Sequence, residues 1–302
     1  MRRILAMALA GLLAACASAV AEPEAEAPAL GMGEILEAAP AEDWRRPAPE
    51  NMLYMDLPSG RVVFELAPGF APNLIGNLRI LLADGYFDGG AITRSQDNYV
   101  VQWAGPQGRD QGAAAAQVEA EFYRPTTPEL AFTPLPDPDT YAPEVGFTDG
   151  FPVGRGSIAG QESTWLAHCY GMLGVGRDVA ADSGNGAELY VVTGNAPRHL
   201  DRNVVLIGRV LQGIELLSSL PRGTGPLGFY ETEEEYTPIV RMQLASDVPE
   251  EERTELEVLR TDSESFEALI TARRFRRDEW FIDPAGHISL CNMPIPVRPV
   301  AD

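Results

Sequence analysis

The chain has 302 residues, 45% of them hydrophobic and 22% charged, the composition of a globular protein with room for one large domain or two small ones. Its 44 acidic residues face 23 basic ones, all of them arginine, for a net charge of −21 at pH 7. The absence of lysine excludes lysine Schiff-base chemistry and a Walker-type phosphate loop, and the acidity argues for solubility and against nucleic acid as a partner.

The chain opens like an export signal. Arg2 and Arg3 precede an apolar run, Ile4 to Leu13, whose ten residues suit a signal core and are too few to span a bilayer. Two processing readings stay open. Ala19-Val20-Ala21 is a small-x-small cleavage site that would release a chain starting at Glu22, with a charge of −23 once Arg2 and Arg3 are gone. Leu13-Ala14-Ala15-Cys16 has the form of a bacterial lipobox, in which Cys16 is lipidated and becomes the N-terminus; this is the one membrane attachment the sequence offers. A periplasmic location, soluble or lipid-anchored, is expected. Residues 22–50, rich in Ala, Pro and Glu, read as a disordered tether with a short helical patch at Ile35-Leu36.

Order is expected from Asn51. Strand-like runs at 52–57 and 61–66 flank Pro58-Ser59-Gly60 and read as a hairpin. Pro72 opens a helix in which Leu74, Ile75, Leu78, Leu81 and Leu82 recur at helical spacing, and which stops near Asp84-Gly85. Short strands follow at 91–94 and 99–103. Residues 105–160 hold many Gly and Pro and read as irregular loop. Strands return at 171–176, 188–193 and 204–210, then a short helix at 214–220 and a closing strand at 237–245. Many short strands with few helices predict an all-β barrel or sandwich over residues 51–247.

The extension, residues 248–302, carries one helix. Thr261-Asp262-Ser263-Glu264 has the form of a capping box, and the helix it opens carries Phe266, Leu269, Ile270 and Arg273. Arg273, Arg274, Arg276 and Arg277 read either as a helix end paired with the chain's own acids or as a docking site. In an oxidising compartment Cys169 and Cys291 are the pair left to form a disulfide; two separately buried thiols are the alternative. There is no CxxC, and His168, His199 and His287 are scattered, so neither a metal nor a cofactor is expected.

Generic catalytic motifs are weak. Gly171-Met172-Leu173-Gly174-Val175-Gly176 lacks the strand-loop-helix context of a dinucleotide fingerprint. Gly156-Ser157-Ile158-Ala159-Gly160 lacks the glycine two residues before the serine that a nucleophile elbow requires.

Two ordered blocks carry more. The first runs Phe64-Glu65-Leu66-Ala67-Pro68-Gly69-Phe70-Ala71-Pro72-Asn73, then Gly85-Tyr86-Phe87-Asp88-Gly89, then Ile92-Thr93-Arg94 and Tyr99-Val100-Val101-Gln102. The second runs Asn185-Gly186-Ala187-Glu188-Leu189-Tyr190-Val191-Val192-Thr193, then His199-Leu200-Asp201, then Ile207-Gly208-Arg209-Val210-Leu211-Gln212-Gly213. In this order and spacing the chain, from about 51 to 247, resembles the cyclophilin family of peptidyl-prolyl isomerases. The resemblance implies a closed antiparallel eight-stranded β-barrel capped by helices. It also implies Arg94 as the catalytic residue, with Tyr99, Gln102, Tyr190 and Leu200 as substrate-binding positions, Val100 beside them, and Gly176, Glu188 and His199 along the groove. Departures from the family pattern are Ile92-Thr93 for Phe-His, Val175-Gly176-Arg177 for Met-Ala-Asn, Ala187-Glu188 for Ser-Gln, and Val204 for the pocket histidine.

The implied activity is cis-trans isomerisation of X–Pro bonds in exported proteins, without a cofactor. The implied partners are proline-containing segments of those proteins. A catalytically weak cyclophilin-like binding module or envelope chaperone is the alternative, and a structural envelope protein held by Cys16 a third reading.

Overall fold

The computed structural model describes residues 30–277 and 280–300. The expected hairpin is present: Met52–Leu57 and Gly60–Leu66 pair antiparallel across Pro58-Ser59, with Leu53 opposite Phe64 and Met55 opposite Val62. Both of its faces are buried, which explains why these strands read as continuous apolar runs instead of alternating ones.

Antiparallel pairing continues through nine strands in the order Thr237–Pro238, Ala91–Ser95, Val100–Ala104, Glu188–Val192, Met172–Val175, Leu206–Gln212, Gly60–Leu66, Met52–Leu57 and Arg241–Leu244. The first and last of these are one stretch of chain, parted only by Ile239 and Val240. Ile239 N donates to Gly90 O and Val240 N to Asp56 O, both at 2.8 Å, so the stretch bonds to both edges of the sheet. Counted as one strand it makes eight, compatible with the implied closed barrel. Leu53, Phe64, Val101, Trp103, Leu189 and Val191 lie in its core. Helix Pro72–Ala83 adds Leu74, Ile75, Leu78, Leu81 and Leu82 to that core and stops at Asp84, with Gly85 in the left-handed region (φ 61°).

Residues 105–160 are not irregular throughout. Glu144–Thr148, Phe151–Ile158 and Gln161–Leu166 are antiparallel strands, and Arg124–Pro125 and Thr133–Pro134 extend them to a five-stranded sheet. Their turns, Asp149-Gly150 (φ 52°, 83°) and Ala159-Gly160 (φ 50°, 83°), have the paired positive φ of a two-residue hairpin loop. Pro152, Gly154 and Gly156 disguise the central strand as loop. Gly154 is required by packing, since a Cβ there would stand 2.7 Å from the Trp165 indole. The rest of the segment is strapped to helix Pro72–Ala83. The Glu121 carboxylate accepts from the N–H groups of Asn73 and Leu74 at 3.0 Å, and Asn77 bonds both backbone groups of Ala115.

Residues 30–50 also depart from expectation. They carry helix Met32–Ala38, at the anticipated helical patch, and strand Trp44–Arg45 where the composition predicts a disordered tether. Trp44–Arg45 pairs with Leu256–Leu259 of the extension, which pairs in turn with Val297–Pro299. Ile35 and Trp44 are the buried anchors. Two apolar side chains are too few to stand out from an Ala/Pro/Glu-rich background. The signal segment, Cys16 and residues 22–29 lie outside the described residues.

The extension helix is Glu264–Phe275, and its cap is Ser263, not Thr261. Ser263 Oγ accepts from Phe266 N at 3.2 Å, while Thr261 Oγ1 accepts from Gly150 N at 3.2 Å and so ties the extension to a turn of the five-stranded sheet. Arg274 pairs with Asp137 at 2.8 Å. Cys169 and Cys291, 122 residues apart in sequence, are joined by a disulfide. Phe147, Val153, Trp165, Phe266 and Leu269 form a second core with the outward-facing Val100, Val192 and Leu206 of the barrel.

Candidate active site

One row of residues crosses the barrel's outer face. Arg94 is paired with Gln102, Gln102 with Tyr190, Tyr190 with Gly174, and Gly174 with Leu206. Directly opposed residues on antiparallel strands share a face, and the alternate positions Val101 and Val191 point into the barrel core. Arg94 would not join this row in a regular strand. It lies two residues from Ile92, which faces the core opposite Trp103, and period-two alternation would turn both the same way. A bulge between Ile92 and Arg94 makes the difference, because the partner strand advances by one residue, from Trp103 to Gln102, while this strand advances by two.

The Arg94 guanidinium is held from three sides. Its Nε donates to Leu227 O at 2.7 Å, Nη1 donates to Gln102 Oε1 at 2.8 Å, and Nη2 donates to Gln96 Oε1. Its Cζ lies 5.2 Å from the Phe229 ring centroid and 5.7 Å from that of Tyr99. Burial lowers its pKa from the ordinary value, with Tyr99 and Glu188 acting the other way, and a guanidinium stays cationic at neutral pH. Gln102 is fixed at both ends, accepting from Arg94 and donating through Nε2 to Glu188. Glu188 in turn lies against Gly176, where a Cβ would stand 3.1 Å from Glu188 Cγ.

Tyr190 is the inner wall. Its ring lies over Gly174, where a Cβ would stand 2.2 Å from Cζ. Behind it runs a buried polar chain. Tyr190 OH meets His168 Nε2 at 2.8 Å, His168 Nδ1 meets Asp201 Oδ1 at 2.9 Å, Arg198 Nε donates to Asp201 Oδ2 at 2.5 Å, and Arg198 reaches Asp139 at 3.0 Å. Burial lowers the His168 pKa against the pull of Asp201, and burial raises that of Tyr190 well above its ordinary value. Burial alone would raise the Asp201 pKa, but His168 and Arg198 carry it below the usual value. A neutral His168 therefore donates from Nδ1 to the carboxylate and accepts from the tyrosine hydroxyl.

The remaining expected positions divide. Tyr99 is half-buried and its ring stacks with the exposed His199 at 6.1 Å and 6°. Leu200 ends the turn Arg198–Leu200 and is half-buried. Val100, by contrast, is only 3% exposed and packs in the second core with Val192, so it offers almost no surface to a peptide. Tyr190, 6% exposed, presents little more. Sequence reasoning missed Gln96, Leu227, Phe229, His168 and Gly174. Gly174 had a visible signal in the glycine-rich run 171–176; Phe229 had none, since it reaches Arg94 through an isolated bridge from a distant loop.

The family model for the cyclophilin type of peptidyl-prolyl cis-trans isomerase matches residues 52–244. The chain belongs to the cyclophilin family. Among solved structures it is similar to the cyclophilin AquaCyp293 from Hirschia baltica, with 25% identity and a TM-score of 0.66, over 86% of this chain and 95% of that one. It is also similar to a cyclophilin-type isomerase from Cryptosporidium parvum determined in the presence of the dipeptide Ala-Pro, with 14% identity and a TM-score of 0.42, over 64% of this chain and 98% of that one. No curated protein matches it in sequence. The likeness to AquaCyp293 reaches beyond the 193 residues of the family segment, so it takes in part of the flanking chain as well as the cyclophilin barrel.

Proposed function

We propose that this cyclophilin isomerises X–Pro bonds of exported polypeptides on the outer face of its barrel, with Arg94 as the catalytic residue. The observation that carries the reading is the bulge-directed Arg94 guanidinium held against Gln102 between the rings of Tyr99 and Phe229. Rotation about an X–Pro bond has a barrier near ~20 kcal/mol and needs no nucleophile or proton removal. It requires a grip on the pyrrolidine ring and a fixed donor for the prolyl nitrogen, which gains lone-pair character as the amide twists. A guanidinium has five N–H donors; three are engaged by Leu227, Gln102 and Gln96, so two are left for a substrate. Tyr99 and Leu200 supply apolar surface for the ring, and the second N–H of Gln102 Nε2 is free to hold a peptide carbonyl.

The test is a proline-isomerisation assay on the chain from Glu22 onward, with and without Arg94→Ala. Catalysis that depends on Arg94 supports the reading, and equal rates overturn it. The burial of Val100 and Tyr190 favours a second reading, a binding module whose groove grips proline peptides without efficient turnover. Saturable peptide binding without rate enhancement would select it.

Export is supported by the Arg2-Arg3 and Ile4–Leu13 signal pattern, and a disulfide between Cys169 and Cys291 suits an oxidising compartment. For the anchor, Cys16→Ala should move the protein from membrane to soluble fractions if the lipobox is used. An unchanged distribution favours cleavage after Ala21.

A further inference from the structure

Arg209 lies on strand Leu206–Gln212, opposite Glu65 on one neighbouring strand and Met172 on the other. Its side chain is 10% exposed, and its Nε and Nη2 are buried without a hydrogen-bond partner. The nearest carboxylate, Glu65, is 3.9 Å away, and both of its oxygens already accept from Arg45, at 2.5 and 3.1 Å. Two guanidinium groups thus share one carboxylate, which leaves a buried excess of positive charge. Burial depresses the Arg209 pKa to about 10, with Glu65 raising it and Arg45 lowering it. The group is still a cation at neutral pH. A buried cation that only shares a carboxylate, at 3.9 Å and without a hydrogen bond, is unfavourable unless a further anion joins it.

There is room for one. A cleft of about 250 Å³ opens beside Arg209, where the extension packs on the barrel. Pro152, Met172, Leu290, Met293 and Ile295 line it together with Tyr170 and Asn292, so its walls are mixed; the Cys169–Cys291 disulfide lies at its side, and Arg273 lines it from the extension helix. Arg273 likewise has a buried Nε without a partner. Its Nη1 donates to the weak acceptor Met32 Sδ and its Nη2 makes a long bond to Asn292 O, both at 3.4 Å.

We propose that this cleft is a binding site for a small carboxylate carried on an apolar body, separate from the proline groove. The carboxylate would meet the Arg209 and Arg273 guanidinium groups that line the cleft, whose covered, unpartnered N–H groups would turn toward it and suit a planar two-oxygen acceptor. The apolar body would lie against Tyr170, Pro294 and Ile295, the lining side chains that present surface to the cleft. The volume is below that of drug-sized pockets, so the ligand is a short one.

The test is isothermal titration of the full mature chain with sodium hexanoate, at ionic strength held constant with sodium chloride. Saturable binding at one site per chain is expected, with hexanol inactive. Arg209→Met should weaken it at least about thirtyfold, as expected when one partner of a buried charge pair is removed. The same variant should be at least as heat-stable as the parent without hexanoate, because it replaces a buried cation that only shares the Glu65 carboxylate by an apolar side chain and leaves Glu65 paired with Arg45. If Arg209→Met does not fold, Arg273→Met carries the test: weaker hexanoate binding supports the site and unchanged binding overturns it. No heat beyond the chloride control, equal binding of hexanol, or binding of inorganic phosphate but not hexanoate would each overturn the proposal.

Discussion

Arg94 and Gln102 face each other across two antiparallel strands, with Nη1 donating to Oε1 at 2.8 Å, and they do so only because the strand bulges after Ile92. Arg94→Ala should lower kcat/KM by about 10²-fold or more, the usual consequence of losing a donor aimed at a transition state. Thermal unfolding should change little, since the partners left behind, Gln96, Gln102 and the Leu227 carbonyl, belong to the groove and not to either core. Near-normal turnover in a chromogenic-peptide assay would remove Arg94 from the mechanism.

Glu188 fixes the far end of the same chain by accepting from Gln102. Its carboxylate beside the groove, in a chain of charge −21, should favour X–Pro peptides with basic flanking residues. The preference should be about 1 kcal/mol or less and should shrink as salt rises. Comparing kcat/KM for Arg- and Glu-flanked peptides at low and high salt tests it. Glu188→Gln should reduce the difference, and equal values at low salt would show that charge does not select substrates here.

Gly174→Ala puts a methyl group where the Tyr190 ring now lies, 2.2 Å from Cζ. The ring must move, at a stability loss of about 1–3 kcal/mol, and it should carry the inner wall of the groove with it. KM should rise more than kcat falls. An unchanged KM alongside the stability loss would show that Tyr190 does not shape peptide binding.

His168 gives the protein an acid sensitivity with a defined sign. Its folded pKa lies below its unfolded value of about 6.5 because burial disfavours the charged ring. The neutral ring therefore contributes stability that is present above about pH 6.5 and is lost as pH falls through the folded pKa. Asp201, whose pKa is also lowered, adds a loss in the same direction at more acidic pH. Urea unfolding from pH 8 to pH 5 should show falling stability, with a shallower slope in His168→Gln. Parallel slopes in the two proteins would refute the assignment.

Removing the Cys169–Cys291 link by Cys291→Ser should lower stability by about 2–5 kcal/mol, since the bond closes a long loop. The isomerase groove should survive, because its row of strands is paired independently of the extension. Free alkylation of both cysteines in the native, unreduced protein would show that the bond is not formed.

Much of the barrel was readable from contiguous residues. The 52–66 hairpin and the 72–83 helix rest on local spacing and turn chemistry, which a short stretch of sequence carries whole, whereas Arg94, Tyr99 and Gln102 were singled out by the resemblance of their blocks to the cyclophilin family. The Asp149-Gly150 turn was also a local signal, but Pro152, Gly154 and Gly156 outweighed it in composition. Only the Trp165 ring explains why Gly154 belongs in a strand.

By itself, then, the sequence determined the absence of lysine chemistry, the acidic surface, the strand-rich core and the blocks that mark the family. Tertiary structure decided which way Arg94 points, because a bulge is visible only against the partner strand. It decided that Leu227 and Phe229, more than 130 residues away, hold that arginine, and that His168 backs Tyr190. It also brought Trp44 and Arg45 onto the extension and left Arg209 without a carboxylate of its own. Each of these depends on which distant residues meet, and such meetings are set by packing and burial across the whole chain, with no periodicity to announce them.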